Sequence, residues 1–242
     1  MRNIKLVLEY DGTAFVGWQT QAKGRNVQGE ITKVLEQILQ EKISLSGAGR
    51  TDSGVHARGQ VANFRLQSDR DTTAIQKALN GILPDDIRVL RVEDVPMEFH
   101  ARFDARARIY TYAISTEPRS IGRQYHWYVK YPLNIKAMET AAEGILGEHG
   151  FESFCTCAAE VDDFRCTVTT SHWAGRTGEL VYTVRANRFV HGMVRALVGT
   201  MVDIGRGHTP GAEFQTILNA RNRSAAGMAA PSRGLCLEEV VY

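Results

Sequence analysis

Apolar residues hold every second position from Ile4 through Leu6 and Leu8 to Tyr10, and the run stops at Asp11-Gly12. Alternation of this kind predicts a strand with one buried face, closed by a turn. The period then changes. Val27, Ile31, Val34, Leu35, Ile38 and Leu39 fall on one stripe of a helix. A short strand is predicted from Ile43 to Ser46, then a glycine-rich turn, then a strand through Val61, Ala62 and Phe64 to Leu66. A second helix carries Ile75, Leu79 and Ile82 and stops before Pro84, and a strand from Ile87 to Val92 follows. The order is β-α-β-β-α-β, the split βαβ arrangement of ferredoxin-like folds.

The second half repeats that order with insertions. A strand is predicted around Ile109 to Ile114, and a helix carries Met138, Ala141, Ala142, Ile145 and Leu146. Two alternating segments follow, near Thr167 to Trp173 and Leu180 to Arg185. A helix then carries Val190, Met193, Val194, Leu197, Val198 and Met201, a shorter one carries Phe214, Ile217 and Leu218, and Leu237 to Tyr242 ends the sequence as a strand. The expectation is an α+β fold of two ferredoxin-like halves, residues 1–104 and 105–242, with sheets joined or facing across a central cleft.

The chain has 242 residues, enough for one large domain or two small ones sharing a core. The N-terminus MRNIKLVLEYDG lacks the apolar run and small-residue cleavage site of a secretion signal, and no stretch approaches the roughly 20 apolar residues of a spanning helix. A cytoplasmic location with no membrane partner is the expectation. Four cysteines, Cys155, Cys157, Cys166 and Cys236, do not make a disulfide framework and are read as reduced thiols. Cys155 and Cys157 form a C-x-C pair with Cys166, His149 and His172 nearby in sequence, but this is not the usual zinc spacing, so no metal is expected. The net charge of +2 neither favours nor excludes nucleic acid. Of the 29 basic residues, 22 are arginine. Guanidinium groups grip phosphates bidentately and stack on bases, so the bias suits RNA, although a GC-rich genome would produce it too.

Three segments carry candidate chemistry. Residues 47–64 read GAGRTDSGVHARGQVANF, with three glycines inside eight residues, which marks unusual backbone and open space beside it. In an extended stretch Arg50 and Asp52 project to the same side, where the cation favours the charged carboxylate, a usable nucleophile or charge stabiliser. A dinucleotide fingerprint is excluded, because its third glycine would fall at Asp52. An ordinary Asp-Ser-Gly turn remains the rival reading. The second segment, HARFDARARIYTYAI from His100 to Ile114, puts Ala101, Phe103, Ala105, Ala107, Ile109 and Ala113 on one side of a strand. His100, Arg102, Asp104, Arg106, Arg108, Tyr110 and Tyr112 then lie on the other. One side suits a core, and the other is a cationic strip ending in aromatics, fit for an RNA backbone and an exposed base or for plain solvent. The third is ANRFVHGMVRALVG, residues 186–199, where Arg195 stands at the margin of an apolar helical stripe, between His191 and Val202, a place that suits a carboxylate partner in a site or, more commonly, a plain structural or surface pair.

Together these segments resemble the TruA-type tRNA pseudouridine synthases. The matching stretches are YDGTAFVGWQTQ, NVQGEI, GAGRTDSGVHARGQV, LNGILPDDIRV, FHARFDARARIYTY, ANRFVHGMVRALVG and MAAPSRGLCLEEVVY, and they recur in order along nearly the whole chain. RTDSGVHARGQV is the most specific. The region from Cys155 to Arg165 departs from the family pattern, and Ser53 stands where alanine is commoner. The resemblance implies that Asp52 is the nucleophile, that Tyr110 lies against the target uracil and helps remove its C5 proton, and that Arg195 pairs with Asp52. It further implies that Arg50 displaces and holds the flipped base and that Leu235 supplies an apolar floor beneath it. His56 and Arg102 are expected as further substrate contacts. The same resemblance implies two α+β domains around an RNA-binding cleft, a homodimer, no cofactor, and tRNA as the partner, modified at positions 38 to 40 of the anticodon stem-loop. Two other classes remain: an RNA-binding protein on the same scaffold without chemistry, and a hydrolase of small nucleosides, which would want two working carboxylates.

Overall fold

In a computed structural model, which describes residues 1–157 and 162–242, the chain forms two units. One comprises Met1–Arg106 with Cys236–Tyr242, the other Ala107–Leu235. The first boundary falls two residues beyond the expected one. The final strand, expected with the second half, is counted with the first unit.

The first unit begins with β1 (Arg2–Tyr10), in which Ile4, Leu6 and Leu8 are wholly buried, as the alternation requires. Helix α1 (Val27–Leu39) starts where the Asn26 side chain accepts a hydrogen bond from Gly29 N–H, and it buries Val27, Ile31, Val34 and Leu35. β2 covers only Ser46–Gly47 and shares Ser46 alone with the predicted Ile43–Ser46, whereas β3 (His56–Leu66) is longer than predicted and buried along most of its length. Helix α2 (Thr72–Ile82) is capped by Asp71, which accepts from Thr73 and Ala74 N–H, and β4 (Ile87–Val95) completes the set. β1 lies between β4 and β3, antiparallel to both, and β2 pairs antiparallel with β3. That is the ferredoxin-like order 4-1-3-2 of an α+β fold. The last strand, β10 (Leu235–Val241), pairs in parallel with the start of β3, Cys236 opposite His56 and Leu237 opposite Ala57. This pairing is the reason the last seven residues join the first unit. Buried Asn3 and Asn63 bind one another and the carbonyls of Pro96 and Phe99, and Asn63 also accepts from Ala101 N–H. Every polar atom in that pair has work to do, so burial carries no unmade hydrogen bond.

The second unit runs β5 (Ala107–Ser115), β6 (Trp127–Tyr128), α3 (Ile135–Glu143), β7 (Gly147–Gly150), β8 (Arg165–Arg176), β9 (Glu179–Ala186), α4 (Met193–Gly205) and α5 (Phe214–Asn219). β9 lies between β5 and β8, antiparallel to both, repeating the 1-3-2 core of the first unit, with β7 added beyond β8. The departure from the family pattern at 155–165 falls partly on residues 158–161, outside the described residues.

The strand predicted around Ile109 to Ile114 is present as β5, but the period-two reading does not extend back to His100. His100 N–H donates to Asp104 Oδ2 (2.9 Å) and Asp104 N–H to the His100 carbonyl (3.1 Å), closing a turn that alternation cannot cross. Phe103, assigned to the core, is therefore 75% exposed; Tyr112, assigned to the cationic strip, keeps its side of the strand but is wholly buried, covered by Pro231 and Gly234.

Helix α4 is buried on almost every side, because residues 227–230 lie along it. Gly227 N–H donates to Thr200 Oγ1 (3.0 Å) and Ala230 N–H to the Arg195 carbonyl (2.9 Å). At Gly199 a Cβ would stand 1.8 Å from the Met228 carbonyl oxygen. Two effects oppose each other in Gly199→Ala. Helix propensity favours alanine by about 1 kcal/mol, while the clash is with backbone and cannot be relieved by a rotamer change. The clash is expected to win, with a net loss of about 1–3 kcal/mol, read as a lower urea midpoint. A midpoint at or above wild type would refute the close approach.

Candidate active site

Asp52 opens a tight turn: its carbonyl accepts from Val55 N–H at 3.1 Å, with Gly54 in the left-handed region at φ 75°. The turn reading and the functional reading are thus compatible, since the turn presents the half-exposed carboxylate. The loop from 47 to 55 is gripped by the segment that follows β1. Trp18 N–H donates to the Thr51 carbonyl (3.1 Å), Gly54 N–H to the Phe15 carbonyl (3.2 Å), and the Tyr10 hydroxyl bonds Thr51 Oγ1 (2.8 Å). Trp18, 1% exposed, lies beneath Gly47, where a Cβ would meet its indole at 2.5 Å. Gly17, at φ 116°, passes so close that a Cβ would fall 2.7 Å from the Thr51 oxygen. Gln60 Nε2 holds the Gly49 carbonyl from the β3 side (3.0 Å). With its backbone tied on both flanks, the Asp52 side chain keeps only its own torsions.

Arg50 is exposed and its Nε–H donates to Gln19 Oε1 (3.0 Å), so its guanidinium is held by the 10–19 segment and not by the carboxylate two residues away. His56 is buried at the start of β3. Its Nδ1 receives Gly12 N–H at 3.0 Å and stands 3.1 Å from Asp11 Oδ1. The ring thereby supports the floor of the loop. Arg102 is exposed in the turn after His100. None of Trp18, Gly17, Tyr10 or Gln60 was singled out from the sequence. Their only signal was the pairing of two glycine-containing segments, since close approach of two backbones leaves no side-chain pattern.

In the second unit Tyr110 sits on β5 opposite Val184 of β9, half-buried, its ring packed edge-on against Phe189 at 5.1 Å and 85°. Tyr112, two residues on and on the same side, differs in kind. Burial pushes its phenol far above the usual range, so it stays protonated, and its hydroxyl donates to the Pro231 carbonyl (2.7 Å). Gly234 lies against the same ring, where a Cβ would come within 2.7 Å. Tyr112 therefore fixes the segment that ends in Leu235, which is 6% exposed. Arg195, in the first turn of α4, is half-buried, and its Nε–H donates to the Ala230 carbonyl (2.8 Å). Side chain and main chain of Arg195 are thus both tied to Ala230, and the plane of the guanidinium is set. The four cysteines are free thiols.

A family model described as tRNA pseudouridine synthase matches residues 6–104 and 141–242. The chain is 42% identical over 238 residues to tRNA pseudouridine synthase A of Halalkalibacterium halodurans, across 97% of this chain and 90% of that protein. It is 42% identical to tRNA pseudouridine synthase A of Brevibacillus brevis and 39% identical to that of Clostridium botulinum strain Alaska E43, in each case across 100% of both chains. Among solved structures, an archaeal box H/ACA sRNP Nop10–Cbf5 complex superposes at a TM-score of 0.37 and 9% identity over 97% of this chain and 48% of that one, too weak a likeness to bear on the site.

Two outcomes follow from the geometry. Gly17→Ala forces a positive φ on a residue with a Cβ and drives that atom at the Thr51 carbonyl, so about 1–3 kcal/mol of stability is expected to go. Faster hydrogen exchange should be confined to the amides of residues 51–55, and uniform exchange across the unit would contradict the clamp. Burial also pushes the Cys166 thiol up to about 11 and the Cys236 thiol up to about 12. At pH 8 about one molecule in a thousand or fewer carries either thiolate. Iodoacetamide is expected to spare both in the folded protein and to label both in urea, read by peptide mass spectrometry.

Proposed function

The chain belongs to the tRNA pseudouridine synthase family, and on that premise we propose that it converts uridine to pseudouridine at positions 38 to 40 of the tRNA anticodon stem-loop, acting as a cytoplasmic homodimer. The observation that carries the reading is the Asp52 loop: the family's most specific segment, RTDSGVHARGQV, is folded so that its one carboxylate tops a clamped turn.

The reaction is an isomerisation. The bond between C1′ and N1 breaks, the freed uracil turns while still held, a bond forms between C1′ and C5, and the C5 proton leaves as N1 gains one. No electrons enter or leave, so the chemistry asks only for a nucleophile, a proton carrier and a place that holds the base. In this proposal Asp52 is the nucleophile. Tyr110 lies against the uracil and helps move the C5 proton, its ring steadied by Phe189. Arg195 supplies the cation that keeps the nucleophile charged and aimed, and Leu235 the apolar floor. Arg50 and Arg102 belong to substrate handling, Arg50 by filling the space that the extruded nucleotide leaves, while buried His56 serves from beneath the loop and not by touching substrate. Extruding a base from a stem costs a few kcal/mol unless protein groups replace its lost stacking, and arginine and tyrosine are suited to that replacement.

The test is incubation with an unmodified tRNA transcript followed by mapping of pseudouridine. Product at positions 38 to 40 is expected, and product elsewhere would move the site assignment. Asp52→Asn is expected to lower turnover by about a thousandfold or more, with tRNA affinity nearly unchanged because many arginines share the phosphate contacts. Residual turnover above about a tenth of wild type would remove Asp52 as nucleophile. Tyr110→Phe keeps the ring against Phe189 and loses the hydroxyl, so turnover should fall by about a hundredfold while binding survives.

A further inference from the structure

Phe103 is the one large aromatic side chain among the described residues that stands three-quarters exposed, at 75%. Scattered apolar residues on a surface need no explanation, but this one is mounted. Its turn is closed by the paired hydrogen bonds between His100 and Asp104. His100 Nδ1 receives the N–H groups of Arg102 (3.1 Å) and Phe103 (3.4 Å), which holds the imidazole against the Phe103 ring with centroids 4.4 Å apart at 35°. The Arg102 guanidinium carbon lies 5.7 Å from the same ring. Beneath the turn Ala101 is wholly buried, its N–H on Asn63 Oδ1 (2.9 Å) and its carbonyl receiving the Tyr242 hydroxyl (2.7 Å). A phenyl face is thus offered to solvent on a rigid base, with an imidazole on one side and a guanidinium beside it.

We propose that this turn is a stacking platform for an unpaired nucleobase of the bound tRNA, separate from the nucleotide that reacts. The inference rests on the RNA substrate proposed above. Every base has a π face, so an aromatic ring with an adjacent arginine binds one without regard to sequence, and the guanidinium adds cation–π attraction and a phosphate contact. Charge favours RNA as the occupant: Arg102 lies within the turn and Arg106 just beyond it, while the carboxylate of Asp104 is engaged by the His100 amide. Position separates it from the chemistry. The Asp52 loop joins β3 at His56, and the platform is fastened to Asn63, seven residues further along the strand, roughly 23 Å away at the strand's rise of about 3.3 Å per residue. The two anchorages therefore address different nucleotides.

The test uses the full-length protein and an unmodified tRNA transcript. Phe103→Ala, which removes no buried contact, should melt like wild type and bind the transcript about tenfold more weakly. Phe103→Trp should restore affinity, and the added emission, taken as the difference from wild type, should be quenched when the transcript binds. Wild-type affinity in Phe103→Ala, together with no quenching of the added emission in Phe103→Trp, would overturn the platform. So would a change of sedimentation in Phe103→Ser with tRNA affinity intact, which would make the ring a contact between copies. Product formation by wild type on the same transcript is the control that separates the two readings. If wild type modifies the RNA and the Phe103 variants bind it normally, only the platform fails; if wild type neither binds nor modifies it, both readings fall.

Discussion

A tyrosine hydroxyl taken out of water must find an acceptor, and leaving it without one costs about 1–3 kcal/mol. For Tyr112 the acceptor is the carbonyl of Pro231. The placement of both Arg195 and Leu235 in the second unit depends on the segment held by that bond. The bond pins a strap, residues 227–235, between β5 and α4, and the strap in turn fixes Arg195 through Ala230 and carries Leu235 at its end. The close passage at Gly199 is the other face of the same constraint, because the strap can approach the helix only where no side chain intervenes. The first unit uses the same device at smaller scale: the hydroxyl of Tyr10, buried at the end of β1, reaches Thr51 beside Asp52. In both units a buried tyrosine hydroxyl fixes the backbone segment that carries a residue proposed for the site.

The stub of a strand at Ser46–Gly47 matters for the same reason. A full-length β2 would cover β3 back to His56 and leave the carboxylate no place to stand. Because it stops after two residues, the chain is free to form the loop, and the 10–19 segment supplies that loop with backbone partners. Rigidity at Asp52 thus comes from backbone contacts between two loops, not from regular sheet.

The helices and the longer strands were legible in the sequence because each rests on a local period: the stripe of α1, the alternation of β1 and the caps at Asn26 and Asp71 depend on neighbours only a few residues away. The short β6 and β7 carry no period and were not predicted. What was not legible depends on distant partners. Tyr112 does share a side of β5 with Tyr110, but it is buried there because Pro231 and Gly234, more than a hundred residues away, lie against its ring, and nothing in a period-two count announces that cover. Arg50 looked like the partner of Asp52 on spacing alone, but Gln19, 31 residues away, takes its guanidinium. The site motif itself stood out by its glycines and by its likeness to a known family. The second segment that holds it, with Gly17 and Trp18, carried no chemistry-bearing residue to draw the eye.

The pairing of β10 with β3 has a consequence for the order in which the protein comes into being. Translation is vectorial, and domains ordinarily fold as they emerge, the N-terminal one first. Here the first unit lacks a strand until residues 236–242 have been made, so the edge of β3 beside His56 stays open while the entire second unit is synthesised. An open edge is a template for strands from other chains. The nascent protein is therefore at its most vulnerable on the ribosome, and the step that closes that edge is also the step that completes the framework under the Asp52 loop.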